Sequence, residues 1–219
     1  MFIQSNPLGG ISLTSALVEN RGLRNDRCWM LINSNNYFMT QRQYPQMALL
    51  QTSIEDNFLK VFHKIENLVP INIPLQHDSN VEIEVPIWED FCLALTTNKE
   101  IDKWFSQALN VQCRLVYMPD TTRRRVDPKY SPREKIVSFA DAYPFLIIGE
   151  KSLEELNSRL ATPVPMNRFR PNFVFEGGTS FIEDTFNNFK IGSIAFQGVK
   201  TSARCVVTTV DQDTGEMGR

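Results

Sequence analysis

The sequence is poor in the residues that build metal clusters and disulfide frameworks. Its 219 residues include four cysteines and two histidines. The cysteines are far apart in the chain and form no CxxC pair: Cys28, Cys92, Cys113 and Cys205. This scarcity argues against a disulfide scaffold, a structural zinc knot and a histidine-rich metal centre. Free thiols are typical of a reducing compartment, so we expect a cytoplasmic protein.

The sequence also lacks long apolar runs and an excess of positive charge. No apolar stretch approaches the roughly 20 residues that span a bilayer, and the N-terminus does not resemble a secretory signal. The formal net charge of -2 argues against nucleic acid as a main partner. Hydrophobic residues make up 42% and charged residues 22% of the chain, which is the balance of a folded soluble protein.

Short apolar segments separated by turn residues predict a mostly β protein with two helices, an α+β fold. Residues 28–32 are an apolar run stopped by polar residues 33–36, and residues 81–85 alternate apolar with acidic side chains, as a half-buried strand does. Many short strands indicate a barrel or a sandwich. Further strands are predicted at residues 11–13, 16–18, 37–40, 47–50, 58–62, 113–117, 173–175, 191–196 and 206–210.

Two segments have helical periodicity. Asn98 can cap the first helix, in which Ile101, Trp104, Phe105 and Leu109 belong to one apolar stripe. The second helix is predicted from about residue 151 to residue 160, with leucines on one face. We place a domain boundary near residues 86–100, which divides the chain into residues 1–90 and 91–219.

Two groups of arginines are candidate anion sites. Arg168 and Arg170 precede a predicted strand, and in an extended chain both side chains would point to one side and could clamp a phosphate. Such a pair taken alone is more often a solvated charged turn. The basic run at residues 123–125 could hold phosphate or RNA, or cover the rim of a pocket, although such a run is usually solvated surface.

Cys205 is the cysteine whose neighbours favour chemistry. Arg204 directly precedes it, and a nearby cation favours the thiolate, the form that binds soft metals and attacks electrophiles. A lone cysteine beside an apolar strand is nevertheless more often a small buried hydrophobic residue. Spacing by itself leaves both interpretations open.

Longer motifs resemble a known family. The segments RGLRNDRCWMLIN (residues 21–33) and MTQRQYPQMALL (39–50) resemble the MOSC N-terminal β-barrel domain. The segments NRFRPNFVFEG (167–177) and ARCVVTTVDQDTGEMGR (203–219) resemble the MOSC domain itself, and DAYPFLIIGEKSLEELNSRL (141–160) is similar to the family's intervening segment. The resemblance covers nearly the whole chain, which is similar to the mitochondrial amidoxime reducing component and its bacterial homologues.

The resemblance implies a molybdenum–molybdopterin cofactor (Moco) and a set of residues that hold it. Cys205 matches the family's cysteine ligand of molybdenum, which would make it both the metal-binding and the catalytic residue. Arg27 matches the arginine that holds the pterin phosphate. The remaining cofactor-binding positions that the resemblance implies are Ala142, Tyr143, Arg170, Asn172, Ala203 and Arg204. Relatives more often carry small hydroxyl residues at the first two of these positions.

The resemblance also implies an activity. We expect an oxidoreductase that reduces N-hydroxylated small molecules with electrons from a separate donor, either ferredoxin-like or cytochrome b5-like with its reductase. A separate donor is expected because the sequence has no flavin, NAD or iron–sulfur motif. Two alternatives remain open. MOSC domains also occur attached to pyridoxal-phosphate sulfurases, so Cys205 could carry a persulfide in a sulfur-carrier module, or the chain could be an inactive homologue.

The chain departs from the family pattern at two places. Relatives begin with a strand whose lysine and serine contact the cofactor, and Asn6 and Pro7 stand at the corresponding positions here. Relatives continue for several strands beyond the DQDTG segment. The resemblance therefore implies two β-barrel-like domains, the second of them truncated at its C-terminus and with an open sheet edge.

Overall fold

The computed structural model describes residues 2–4, 8–76, 81–130 and 134–218, so Asn6 and Pro7 lie outside the described residues. The strands are β1 Phe2–Gln4, β2 Gly10–Ser12, β3 Val18–Glu19, β4 Gly22–Leu23, β5 Trp29–Asn33, β6 Leu50–Glu55, β7 Phe58–His63, β8 Ile71–Pro74, β9 Glu82–Ile87, β10 Asp90–Thr96, β11 Cys113–Tyr117, β12 Arg124–Arg125, β13 Ile136–Val137, β14 Ile147–Gly149, β15 Phe173–Phe175, β16 Asn188–Ile191 and β17 Ile194–Gln197. The α-helices are α1 Lys99–Leu109 and α2 Glu150–Asn157, and the 3₁₀ helices are Pro45–Leu49, Met166–Arg168, Ile182–Thr185 and Val206–Thr209.

Two antiparallel sheets dominate the first half of the chain. One has the strand order β5-β11-β10-β9 and the other the order β6-β7-β8. Strand β5 pairs with β11 from Trp29 opposite Tyr117 to Asn33 opposite Cys113. Residues that are some eighty positions apart in sequence therefore form the centre of the larger sheet. Four of the five residues of β5 are buried, which agrees with its unbroken apolar sequence.

Helix α1 packs on one face of this sheet and completes the main core. Asn98 caps it as predicted, because its Oδ1 accepts the backbone N–H of Ile101 at 2.9 Å. The apolar stripe buries Ile101, Phe105 and Leu109, which belong to the same cluster as Trp29, Leu31 and Leu115 of the sheet. A second cluster, which includes Met30, Ile32, Val85, Ala94 and Val116, lies on the opposite face.

The second half of the chain is built from shorter strands. Strand β14 leads into helix α2 and pairs in parallel with β15, while β16 and β17 form a hairpin. The aromatic rings of Phe145, Phe173 and Phe196 meet with their centroids 5.3–5.5 Å apart. These rings are the apolar centre of this half.

Several predicted strands are different in the structure. Residues 47–49 belong to the 3₁₀ helix that begins at Pro45, and β6 starts only at Leu50. Residues 206–209 are also a 3₁₀ helix, because the hydroxyls of Thr208 and Thr209 donate to the carbonyls three residues earlier and compete with a strand ladder. Residues 37–40 contribute a single bridge, from Phe38 to Ile32. The segment 191–196 is divided by a turn at Gly192, whose φ is +60°.

The prediction of a mostly β, α+β fold with two α-helices is confirmed. The second helix is shorter than expected and ends at Asn157. The division into residues 1–90 and 91–219 stays a prediction. Within the described parts of the chain, neither α-helix has the length and apolar character that crossing a membrane would require.

Candidate functional site

The site residues predicted from the sequence lie around one cavity of about 1540 Å³. Its wall includes the turn at residues 40–42, the loop at residues 140–148 and the segment 194–205. Seven of the eight predicted site residues line it: Arg27, Ala142, Tyr143, Arg170, Ala203, Arg204 and Cys205. The eighth, Asn172, is fully buried and contacts Arg27 from behind the wall.

The wall is net positive although the chain is net negative. Among the described residues that line the cavity, seven are lysines or arginines and four are aspartates or glutamates. The whole sequence has 23 basic and 25 acidic residues. The excess of cations is therefore local to the cavity, and it favours an anionic ligand.

Asp26, Arg27 and Asn172 form a polar network that connects the two halves of the chain. Arg27 Nη1 donates to Asp26 Oδ2 at 2.7 Å and to Asn172 Oδ1 at 3.3 Å. Asn172 Nδ2 in turn donates to Asp26 Oδ2 at 3.1 Å, and its Oδ1 accepts the backbone N–H of Leu146. Because Asp26 and Asn172 are buried, this network fixes the Arg27 guanidinium in one orientation at the cavity wall.

Arg170 lies close to this network. Its Nη1 donates to the carbonyl of Leu8 at 3.1 Å. Burial, together with the repulsion of the nearby Arg27 charge, lowers the pKa of Arg170 to about 10. Both arginines have a left-handed backbone, with φ of +53° at Arg27 and +54° at Arg170. Strained backbone of this kind is typical of functional sites.

Arg168 does not form the extended phosphate clamp with Arg170 that its spacing predicts. The segment before β15 is a 3₁₀ helix rather than extended chain. Arg168 donates to the carbonyl of Thr209 at 2.9 Å and to Asp211 Oδ2 at 2.6 Å. It therefore fixes the segment that follows Cys205.

Cys205 is the exposed cysteine of the chain, whereas Cys28, Cys92 and Cys113 are buried. Its Sγ accepts a hydrogen bond from Nη2 of Arg42 at 3.5 Å. The same nitrogen donates to Asp141 Oδ2 at 2.9 Å. Next to the cysteine, the guanidinium of Arg204 lies over the ring of Phe169, 5.3 Å from its centroid. The cysteine is thus exposed at the cavity, its sulfur accepts a hydrogen bond from one arginine, and another arginine precedes it in sequence.

Ala142 and Tyr143 belong to the loop at residues 140–148, which lines the same cavity as Cys205. Ala142 is exposed, and the ring of Tyr143 packs edge-on against Tyr130 with 6.0 Å between centroids. The loop is held by Arg124, which donates to the carbonyls of Ser138 (3.1 Å), Ala140 and Asp141 (3.3 Å). Because Arg124 is only 6% exposed, the interpretation of the basic run as solvated surface or cavity rim is wrong for its central residue. Alternation along β12 buries this side chain and exposes its two neighbours.

Arg42 and Asp141 were not among the predicted site residues. Both lie in segments that carry the family resemblance, so the motifs pointed to the right parts of the chain. Only the fold shows that Arg42, 163 positions before Cys205, contacts its sulfur. A local sequence pattern contains no signal for such a contact.

Comparison with known proteins identifies two domains in the chain. Residues 6–112 match the model of the MOSC N-terminal beta barrel domain, and residues 134–219 match the model of the MOSC domain. The chain therefore belongs to the proteins that join a MOSC N-terminal barrel to a MOSC domain. The resemblance seen in the sequence is confirmed.

Curated relatives are about 30% identical over most of the chain. The chain is 32% identical to mitochondrial amidoxime reducing component 2 of Rattus norvegicus, over 96% of its own length and 65% of the relative. It is 33% identical to mitochondrial amidoxime-reducing component 1 of Mus musculus, over 94% and 63% respectively. A molybdenum cofactor sulfurase of Solanum lycopersicum is 29% identical over 96% of the chain and 28% of that protein. The chain thus spans slightly less than two thirds of the amidoxime reducing components it matches.

Proposed function

We propose that this chain binds a molybdenum–pterin cofactor and that Cys205 is the protein's ligand to the metal. The observation that carries the proposal is that the exposed Cys205 lines the same cavity as Arg27 and Arg170. Two segments at least 145 residues after Arg27 contribute to the site, because Asn172 contacts Arg27 from behind the wall and Cys205 lines the cavity. The names of the relatives, which mention amidoxime reduction and the molybdenum cofactor, support it.

The side chains present fit such a group. The described residues offer no cluster of three or more histidine, cysteine or acidic ligands that could hold a bare metal ion. A metal that arrives with its own dithiolene sulfurs needs less from the protein, and a single soft thiolate suits molybdenum. The phosphate of the pterin requires fixed positive charge, which guanidinium groups supply through paired hydrogen bonds.

Each residue then has a distinct task. Arg27 and Arg170 would bind the phosphate, and Asn172 would orient Arg27 through the buried network with Asp26. Ala203 and Arg204 would line the cavity next to the cysteine. Ala142 and Tyr143 would line it from the loop at residues 140–148. The bound cofactor would supply the oxygen-atom and electron chemistry, while the protein positions it.

The reaction we propose is the reduction of N-hydroxylated small molecules. It rests on the names of the amidoxime reducing components that the chain resembles. Electrons would come from a separate protein, ferredoxin-like or cytochrome b5-like with a reductase. A cytoplasmic location belongs to the same proposal.

Metal and pterin analysis tests the cofactor directly. The protein is produced in cells that make the cofactor, and its molybdenum content and the fluorescence of its oxidised pterin are measured beside those of Cys205→Ser and Cys92→Ala. We expect close to one molybdenum per chain in the wild type and in Cys92→Ala, whose buried thiol does not line the cavity. Cys205→Ser should lose most of the metal. Equal metal content in all three proteins, or none in any, would reject the proposal.

The match to a molybdenum cofactor sulfurase favours one second candidate, a sulfur-carrier module with a persulfide on Cys205. The pyridoxal phosphate of such a system would belong to a partner that delivers the sulfur. Mass spectrometry of the purified protein separates the two candidates. An additional sulfur on Cys205 in a protein free of molybdenum would favour the carrier, and a folded protein with neither group would indicate an inactive homologue.

A further inference from the structure

Arg42 lies on a stiff turn that faces the cysteine segment. The turn follows Thr40, whose carbonyl accepts the backbone N–H groups of both Gln43 and Tyr44. The 3₁₀ helix that begins at Pro45 comes directly after it. A side chain that extends from such a turn starts from a fixed backbone, which reduces the entropy cost of holding it in place.

The guanidinium of Arg42 has three different neighbours. Its Nη2 donates to Asp141 at 2.9 Å and to the Cys205 sulfur at 3.5 Å. Its central carbon lies 5.0 Å from the centroid of the Trp88 ring. The planar guanidinium suits this arrangement, because its face can stack on an indole while its edge donates to a carboxylate and a sulfur.

Trp88 is itself held in place although half of it is exposed. It occupies the turn between β9 and β10 with a left-handed φ of +57°, and its ring packs edge-on against Phe38 at 5.0 Å. A large aromatic side chain that is 53% exposed gains only part of the stabilisation that full burial would give. Its packing against Phe38 and the stacking of Arg42 help to hold it in this position.

A second, independent contact joins the same two segments. The amide groups of Gln41 and Gln212 bond to each other in both directions, at 3.3 and 3.0 Å, and both residues are buried. Gln212 also donates to the carbonyl of Val210. The turn that carries Arg42 and the segment that follows Cys205 are therefore fixed relative to each other by a buried pair, independently of Arg42.

We propose that Arg42, supported by Asp141 and Trp88, is a positioning residue that holds the Cys205 sulfur in one orientation at the cavity wall. The consequence for metal binding rests on the proposed function, whereas the ordering of the side chain does not. An exposed ion pair between Arg42 and Asp141 alone would contribute little free energy to holding the Arg42 side chain in place. The additional stacking and the contact with sulfur distinguish a positioning role from an incidental surface pair.

The order of the Cys205 side chain, measured without cofactor, is the primary test. Protein labelled with ¹³C at the cysteine Cβ gives one methylene signal per cysteine, and Cys205→Ser assigns the signal of interest. We expect the Cys205 methylene of the wild type to be nearly as ordered as those of the buried cysteines. In Arg42→Met, which keeps most of the side-chain length but has no donors, its order parameter should fall below about 0.6, the range of flexible groups.

Matched variants keep this test decisive. Arg125 forms an exposed ion pair with Glu134 at 3.1 Å, so Arg125→Gln removes a comparable surface pair and should leave the Cys205 signal unchanged. Trp88→Leu and Asp141→Asn each remove one support and should lower the order parameter less than Arg42→Met does. An unchanged signal in Arg42→Met would overturn the proposal. If that variant does not fold, unchanged signals in both Trp88→Leu and Asp141→Asn would overturn it.

The cofactor-loaded protein provides a second readout. We expect Arg42→Met to retain its pterin, because Arg27 and Arg170 remain, and to show an altered electron paramagnetic resonance spectrum of molybdenum(V), because the sulfur ligand is reoriented. A spectrum identical to that of the wild type would overturn the positioning role at the metal. If the wild type acquires no pterin, the proposed function fails, while the methylene measurement still decides the role of Arg42.

Discussion

The two halves of this protein have different kinds of interior. Among the described residues, 25 buried apolar residues lie between Leu8 and Met118, and seven lie between residues 134 and 218. The first region has strands of up to seven residues in two sheets packed with helix α1, and the second has strands of two to four residues around partly buried phenylalanines. Burial of apolar surface is the main stabilising term. The first region should therefore be the more stable of the two.

The candidate site lies mostly in the less packed region but is attached to the more packed one. Arg170 donates to the carbonyl of Leu8, Asn172 bonds to Asp26, and Arg42 contacts Cys205. These contacts are directional and polar, so they determine geometry more than they contribute to stability. The difference between the regions indicates that the packed half orients a site whose walls are supplied largely by the other half.

Thiol reactivity should show the largest contrast between the regions. Burial raises the pKa of Cys28 to about 12 and the pKa values of Cys92 and Cys113 to about 11. Since each pKa unit changes the thiolate fraction tenfold, iodoacetamide at pH 8 should modify exposed Cys205 at least about 100-fold faster than the other three. Mass spectrometry of the native and the denatured protein measures this. Modification of two or more thiols at similar rates in the native protein would contradict the comparison.

Truncation of phenylalanines compares the two interiors directly. Phe105 of helix α1 is fully buried and packs edge-on against Trp104, so Phe105→Ala should lower the free energy of unfolding by about 3–5 kcal/mol. Phe189 of β16 is partly buried, so Phe189→Ala should lower the free energy of unfolding by only about 1 kcal/mol. Urea denaturation followed by tryptophan fluorescence measures both. Equal costs would mean that the second region is packed as tightly as the first.

The smallest effect concerns the contact between the regions. Gln41→Ala, Gln212→Ala and the double variant form a mutant cycle for the buried amide pair. We expect a coupling free energy of about 1 kcal/mol, because each single variant leaves the other amide without its partner. The cycle is measured by urea denaturation. Additive effects would show that this contact does not connect the regions.

Local patterns predicted the local elements well. The cap at Asn98 and the buried stripe of α1 depend on neighbours within a few turns, and both are as expected. The strand predicted after Cys205 was wrong, because threonine hydroxyls offer the backbone a local alternative to sheet pairing. The extended clamp of Arg168 and Arg170 failed for a similar reason, since the chain there turns instead of extending.

The site was predicted in part, through the resemblance and not through spacing. The motifs named residues from distant segments, and the fold gathers seven of them around one cavity. Their roles toward a cofactor remain proposals. No pattern within the basic run distinguished buried Arg124 from its exposed neighbours, because its burial depends on three carbonyls of a loop 14 to 17 residues later.

The sequence by itself determined which segments become helix α1 and the apolar strands, and which family the chain belongs to, because periodicity, caps and motifs are local properties of the chain. Only the tertiary structure decided that Arg42 meets Cys205, that Asn172 orients Arg27, and that Arg168 holds the segment after the cysteine. These contacts join residues 41 to 163 positions apart. Their geometry follows from how the sheets and loops pack, which no short stretch of sequence specifies.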